Sequence, residues 1–397
     1  MKSGFRCTAL VAALFFWGQT GLFAYTDSAA ISILTCSPGT ELYSKFGHSA
    51  IRVYDPYDGT DIVFNYGLFD FNTPNFYLKF IRGKLPYQLG VQRFYSFMWD
   101  YQSEGREVKE TPLQLDLASR RKLLDFLAYN YLPEHRQYPY DFFFDNCASR
   151  IRDVLEQSAA MTYKRSAALG EQKTFRQLLD VYIQRYPWID FGIDLILGLP
   201  SDQTADFRAE MFLPDYLADN LQAGVAGRKP IAGKPVLLLE EMPMTTAGIL
   251  LPPPFIFFSL VFLGIVLLTW KGPVRLQRAV DILLFGILGL SGTLFTFMWA
   301  GTDHLATHAN LNLLWATPFA LGAAAAVLFN GRRFWFKAVF ATTLLALIGF
   351  YILPQQLHPA TIPIMLASLL RCGVQMGLTF PKVSASPQKA GPPSGVE

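Results

Sequence analysis

Asp141-Phe142-Phe143-Phe144-Asp145-Asn146-Cys147-Ala148-Ser149-Arg150 is the stretch that decides how this chain is read. An aromatic run stops at Asp145-Asn146, and a helical pattern begins at once, with Ile151, Val154 and Leu155 on one face. Asp145 or Asn146 is placed to cap that helix, its side-chain oxygen accepting from the free N–H groups of the first turn. Cys147 then falls at or beside the first helical position, where those N–H groups and the helix dipole favour thiolate over thiol. Arg150 and Arg152 add positive charge nearby. A nucleophilic thiol needs a base, and His48 stands upstream in Phe46-Gly47-His48-Ser49-Ala50-Ile51-Arg52-Val53-Tyr54. The local residues leave a second reading of Cys147 open, as a small buried hydrophobe.

Working outward, Ala29 to Cys36 reads as a buried strand ending at Ser37-Pro38-Gly39. Ser49–Tyr54 and Asp61–Tyr66 read as a hairpin across the turn-rich Asp55-Pro56-Tyr57-Asp58-Gly59. His48 opens the first strand of that hairpin and Asn65 lies near the end of the second, so antiparallel pairing brings them together. A one-residue slip would put Tyr66 or Gly67 there instead. Phe71–Phe80 and Tyr87–Phe97 are aromatic-rich, strand or short helix. Leu113–Tyr131 has helical spacing, with Leu117, Leu123, Leu124 and Leu127 inward and Arg120, Arg121 and Lys122 outward. His135 reads as a surface or capping residue. Thr174–Tyr186 is a second amphipathic helix, a short helix starts near Phe212-Leu213-Pro214, and Val236–Leu239 is an edge-strand candidate. Trp188–Pro200 is unusually apolar, which fits either a core or a surface that touches a bilayer.

The composition is too apolar for an ordinary soluble protein: 51% hydrophobic and 16% charged over 397 residues, with mean hydropathy +0.24. The excess lies beyond about Met244. Five segments come close to the roughly 20 residues of a spanning helix: 250–270, 280–299, 311–329, 336–353 and 362–380. Lys271, Arg275 and Arg278 follow the first, Arg332, Arg333 and Lys337 the third, and Lys382 the fifth, whereas 301–310 and 354–360 hold no Lys or Arg. The positive-inside rule puts the basic connections in the cytosol and residues 25–245 outside. The N-terminus agrees, with Lys2 and Arg6, an apolar core from Ala9 to Trp17, and a small-residue end at Ala24. Leu22 makes the cleavage site imperfect, so an uncleaved anchor is the alternative. Cys7 precedes the apolar core and is no lipoprotein cysteine. The expected organisation is a signal peptide over 1–24, an exported domain over 25–245, a five-helix membrane domain over 246–380 and a disordered cytosolic tail over 381–397.

Arg371 lies too deep in the fifth segment to be an ordinary surface cation, although its side chain can snorkel toward the cytosolic face. His304 and His308, with Asn310 and Asn312, form a polar outer loop. No third ligand completes a metal site there, and a cluster facing lipid headgroups is expected. A net charge of +3 with no basic stripe argues against nucleic acid. No cofactor motif stands out.

The order of the elements carries a resemblance. Papain-like folds of the cell-wall-peptidase type put the cysteine helix before the histidine strand; here His48 comes first, then Asn65, then Asn146-Cys147. That order resembles the circularly permuted branch, which includes lecithin retinol acyltransferase. The chain resembles the Lnb-like lipoprotein N-acyltransferases more closely still. The similarity lies in Phe46-Gly47-His48…Ile51-Arg52-Val53, Phe64-Asn65-Tyr66-Gly67, Tyr140-Asp141-Phe142-Phe143-Phe144-Asp145-Asn146-Cys147, and a membrane bundle with Asn310-Leu311-Asn312-Leu313-Leu314-Trp315. The resemblance implies an α+β fold: a permuted papain-like (NlpC-type) domain followed by an all-α transmembrane bundle, held in the inner membrane with its catalytic domain in the periplasm. It implies acyl transfer from a phospholipid to the α-amine of a lipidated N-terminal cysteine. Cys147 would be the nucleophile, His48 the base and Asn65 its orienting partner, with no metal. Tyr43, Asn146, Tyr66 and Arg52 would serve oxyanion or substrate contacts, and Lys45 and Arg150 could meet phosphate.

Two rivals stand beside this reading. The same dyad with water as acceptor gives a phospholipase or a cell-wall peptidase, although five spans argue against a wall enzyme. A Cys36–Cys147 disulfide, which export permits, would make the chain a non-enzymatic receptor or assembly factor.

Overall fold

A computed structural model describes residues 25–159, 161–162, 165–242 and 251–378. The signal segment 1–24 with Cys7, the junction 243–250, and the tail 381–397 with Lys382 lie outside the described residues.

The first half is built on the strands β1 Ala30–Cys36, β2 His48–Asp55 and β3 Thr60–Leu68, the short helix α1 Phe76–Ile81, then β4 Pro86–Arg93, α2 Phe94–Ser103 and β5 Val108–Pro112. The helix α3 Leu117–Tyr131, strand β6 Gln137–Pro139 and helix α4 Cys147–Ser158 follow. A small three-stranded sheet is made by β7 Met161–Thr162, β8 Val225–Ala226 and β9 Lys229–Pro230. Between its strands come α5 Phe175–Ile183, α6 Pro187–Ile196 and α7 Pro214–Gln222; β10 Val236–Leu239 closes the domain. The main sheet has seven strands in the order β10-β5-β1-β2-β3-β4-β6, with antiparallel pairing throughout.

Alternation divides the sheet into two faces. Ile31, Ile33, Ile51, Val53, Phe64 and Tyr66 point to one, where α3 supplies Leu123, Leu124 and Leu127 and α4 supplies Ile151, Val154 and Leu155. Leu34, Cys36, Ala50 and Val63 point to the other and pack on Phe97 of α2. Leu117, expected inward, is exposed because it is the first residue of α3, N-capped by Asp116.

The second half is helical: α8 Pro254–Lys271, α9 Val274–Ala300, α10 Phe319–Phe329, α11 Phe334–Ile348 and α12 Thr361–Met376. By length and apolarity α8 and α9 can each cross a membrane alone. The third expected segment is not one helix: its turn Leu311–Leu314 is separated from α10, the stretch Leu305–Leu314 being bent by 43° from Phe319–Phe329 across a break that ends at Pro318, whose ring cannot continue a helix. The helix α9 also starts six residues earlier than apolarity suggests and carries Arg275, Arg278 and Asp281. Arg278 reaches Leu328 O and Arg333 reaches Met376 O at one end of the bundle, while the loops without Lys or Arg meet the sheet domain at the other.

Trp188–Pro200 lies against this bundle rather than facing lipid alone. Leu195 packs on its core, Phe191 lies 5.4 Å from Phe258, and Trp188 Nε1 donates to Pro252 O. The carbonyls at the end of α6 are taken by amides of the membrane domain. Asn310 Nδ2 donates to Leu195 O (2.8 Å) and Ile196 O (3.1 Å), and Asn312 Nδ2 to Asp194 O and Leu195 O (3.2 Å each). Gln355 Nε2 donates to Leu197 O (3.1 Å).

Arg371 does not snorkel. It is buried and bidentate to the buried Asp281 (2.5 and 2.8 Å), with Thr269 and Gln277 on its remaining nitrogen. Replacing only the acid, Asp281→Asn, strands a buried guanidinium and should cost about 3–5 kcal/mol. The readout is a lower Tm of the detergent-solubilised full chain, and Asp281→Leu with Arg371→Met should recover most of the loss. An unchanged Tm in Asp281→Asn would remove the pair from the account.

Candidate active site

The start of α4 is set by local hydrogen bonds. Asp141 Oδ1 accepts from Phe143 N and Phe144 N, turning the chain, and Asn146 becomes the N-cap. Asn146 Oδ1 accepts from Ala148 N and Ser149 N at 2.9 Å each, while Asn146 N donates to Ser149 Oγ at 2.8 Å. Its Nδ2 donates to Phe142 O (2.9 Å) and Phe212 O (2.8 Å). Cys147 is therefore the first helical residue, half-buried at the positive end of α4.

His48 is brought to it by packing. Phe46 meets Phe142 edge-on at 5.1 Å. Gly47, at φ +78, then turns the chain into β2, where a Cβ would come within 2.7 Å of Cys36 O. Asn65 shares a face with His48, two residues from the position directly across. Ala50 and Asn65 fall opposite one another when the pairing of Ile51 with Phe64 is extended by one step. The His48 Nε2–Asn65 Oδ1 distance is 3.2 Å. An amide oxygen only accepts, so Nε2 carries the hydrogen and Nδ1 is left for the sulfur. Gly67, at φ +91, sits over Cys147, with an added Cβ 3.9 Å from that of Cys147.

Burial alone would push the Cys147 thiol up. The neighbouring His48 charge and hydrogen bond, with the N–H groups of Ser49 and Ala148, reverse this, and the net displacement is downward. Burial likewise disfavours imidazolium at His48, but contact with Cys147 and Asn65 outweighs it, and the displacement is upward. The two shifts favour thiolate beside imidazolium. Cys36, which pairs with His48 across β1 and β2, behaves differently: burial pushes its thiol up to about 12. Cys36 and Cys147 are both free thiols.

The other residues expected at the site are held elsewhere. Tyr66 points to the opposite face, fully buried, its hydroxyl donating to Asn130 at 2.7 Å. Arg52 is fixed by Asp61 and Glu110 and lies over Phe94 at 3.4 Å. Both polar ends of Asn146 are used by backbone, which makes it a positioning residue. Arg150 is bidentate to Asp145 and covers Tyr138; Lys45 is buried over Tyr186. Tyr43 stands 79% exposed on the turn Leu42–Ser44. His135 stacks on Tyr129 at 4.1 Å. His304 Nε2 lies 3.1 Å from both Phe80 O and Ile81 O, so that loop docks on the sheet domain rather than presenting a headgroup cluster. Among the described residues no group of three or more His, Cys, Asp or Glu could hold a metal.

Two further neighbours were not among the expected site residues. Tyr140, stacked on Tyr87 at 4.2 Å, is half-buried within electrostatic reach of Cys147, and Arg106 is buried close enough to oppose charging of His48. Tyr140 opens the stretch Tyr140–Cys147 quoted above, whereas nothing in the sequence around Arg106 points to the site.

Comparison with protein families agrees with both halves. The Lnb N-terminal periplasmic domain matches residues 23–181, and the Lnb transmembrane domain matches residues 246–382. The chain is an Lnb-like protein. The first Lnb match spans His48, Asn65 and Cys147, and the second spans Asn310–Trp315 and the Arg371–Asp281 pair. Its fold is α+β, a sheet-rich periplasmic domain followed by a helical transmembrane region. No curated protein matches the chain. No solved structure matches it either.

Thiol chemistry tests the geometry. Iodoacetamide should alkylate Cys147 at a pH below the range of an ordinary thiol, because the folded thiolate is favoured, and should leave Cys36 unmodified. His48→Ala removes the counter-charge and leaves burial, so the profile should move to higher pH. Asn65→Ala should slow alkylation near neutral pH by about tenfold, the worth of one charge-assisted hydrogen bond. A profile unmoved by His48→Ala would break the pairing.

Proposed function

We propose that this protein is a thiol-dependent lipoprotein N-acyltransferase, acting at the outer face of the inner membrane through a permuted papain-like site. The observation that carries the reading is the Cys147–His48–Asn65 constellation at a capped helix start, in a domain hydrogen-bonded onto a membrane bundle. The family matches support the same class of protein.

In the proposed cycle His48 Nδ1 holds the thiol proton and the Cys147 thiolate attacks the ester carbonyl of a glycerophospholipid. The carbonyl electron pair moves onto oxygen, where the Cys147 N–H, which the Asn146 cap leaves unused, stabilises it. Collapse breaks the ester C–O bond, His48 delivers its proton to the departing lysophospholipid oxygen, and a thioester remains. The α-amine of a diacylglyceryl-cysteine terminus then attacks that thioester. His48 takes the amine proton and returns it to the leaving Cys147 sulfur, releasing the amide. Asn65 holds the ring in the tautomer that both steps need.

The test is acyl transfer from phospholipid vesicles to a lipidated peptide by the full-length chain, read with Tm. Cys147→Ser and His48→Ala should lose about 10³-fold or more with the fold retained, and Cys36→Ser should keep most activity. Free fatty acid as the sole acyl product would make the protein a phospholipase. Equal loss of stability in both cysteine variants, with no acyl transfer by the unaltered chain, would favour the disulfide-bonded assembly factor.

A further inference from the structure

Between β3 and β4 the chain leaves the sheet and carries apolar side chains that stay exposed among the described residues. The helix α1 has no buried residue; Phe71 and Tyr77 are 71% and 77% exposed, and Leu78, Phe80 and Ile81 about half. Ring contacts organise the segment: Phe76 lies 5.0 Å from Phe71 and stacks on Phe80 at 6.2 Å, and Phe69 meets Tyr87 at 5.3 Å. An apolar surface of this kind facing water is costly without an occupant.

Its position says what the occupant is. Asp303 N donates to Arg82 O (2.9 Å), His304 Nε2 touches the carbonyls of Phe80 and Ile81, and Lys84 Nζ lies 3.7 Å from Asp303. Asp303 and His304 come three and four residues after α9 ends at Ala300. The helix α1 therefore sits at the height where a membrane helix leaves the bilayer, the end of α9 whose last turn exposes Phe297 and Trp299. Aromatic and basic side chains collect at that level. Lys79 and Arg82, at the end of α1, have no ion-pair partner among the described residues, so both are free for phosphate. A cleft of about 370 Å³, lined by Lys84, Pro86, Tyr138 and Asp303, opens alongside.

We propose that α1 and the turn before it dock into the outer leaflet, with acyl chains against Phe71, Tyr77 and Leu78 and phosphate on Lys79 and Arg82. The aromatic series Phe69–Tyr87–Tyr140 runs from this surface to the neighbourhood of Cys147. As an entry route for the acyl donor it rests on the acyltransferase reading; as a lipid contact it does not.

The experiment places p-benzoylphenylalanine at Tyr77 in the full-length chain, reconstituted in phosphatidylethanolamine and phosphatidylglycerol vesicles, and identifies photoadducts by mass spectrometry. The control position is Tyr57, 82% exposed in the turn at the far end of the β2–β3 hairpin. Phospholipid adducts at 77, at least tenfold above those at 57, are expected. Equal labelling, no lipid adduct at 77, or crosslinks to another protein chain would overturn the proposal. Strong labelling at 77 in a protein that transfers no acyl chain would sink the acyltransferase reading and leave the lipid surface standing.

Discussion

The side chain of Asn146 makes four hydrogen bonds, and the candidate site is built around them. Two go to N–H groups that a helix start leaves unpaired, and two to carbonyls of separate segments at Phe142 and Phe212. Each buried group left unpaired would cost about 1–3 kcal/mol, so the helix is held to begin at Cys147. Ser149 completes the cap from within the first turn, a place more often filled by Glu or Gln. The same bonds tie the aromatic loop to Phe212, and Phe46 packing on that loop carries His48 toward the sulfur.

A second set of backbone groups joins the periplasmic domain to the bundle. A helix end leaves its last carbonyls without intrahelical partners, and within its own domain, among the described residues, the end of α6 meets only Arg176, at Asp194 O and Leu197 O. Asn310, Asn312 and Gln355 supply the donors, and the buried Arg176 braces the same turn through Asp194 and Asp202. Trp315 Nε1 donates to Asn312 Oδ1 at 2.8 Å, fixing the amide that does the capping. Sideways motion of one domain over the other would break several buried hydrogen bonds together. The same orientation holds the loop at Asp303 and His304 against the end of α1.

Most of what local pattern can encode was legible. The hairpin, the edge strand Val236–Leu239, the inward face of α4 and the position of Cys147 at a capped start follow from alternation, turn residues and N-cap chemistry. The choice of Asn65 over Tyr66 follows from parity along β3, which sends Tyr66 to the opposite face. What was not legible depends on partners far away in sequence. Arg52 looked free until Glu110 met it, Asn146 looked available until Phe212 O took its amide, and Arg371 looked solvent-seeking until Asp281 paired with it. The broken third segment turns on Pro318, whose effect an apolarity count ignores.

The central claim is that Cys147 carries an acyl group taken from a membrane lipid. The most direct measurement is the intact mass of the full-length protein after incubation with a phospholipid of defined chains and no acceptor, followed by peptide mapping. The account predicts one added acyl chain on the peptide containing Cys147, removed by hydroxylamine and absent in His48→Ala. An unmodified Cys147, or an acyl group found on another residue, would contradict it.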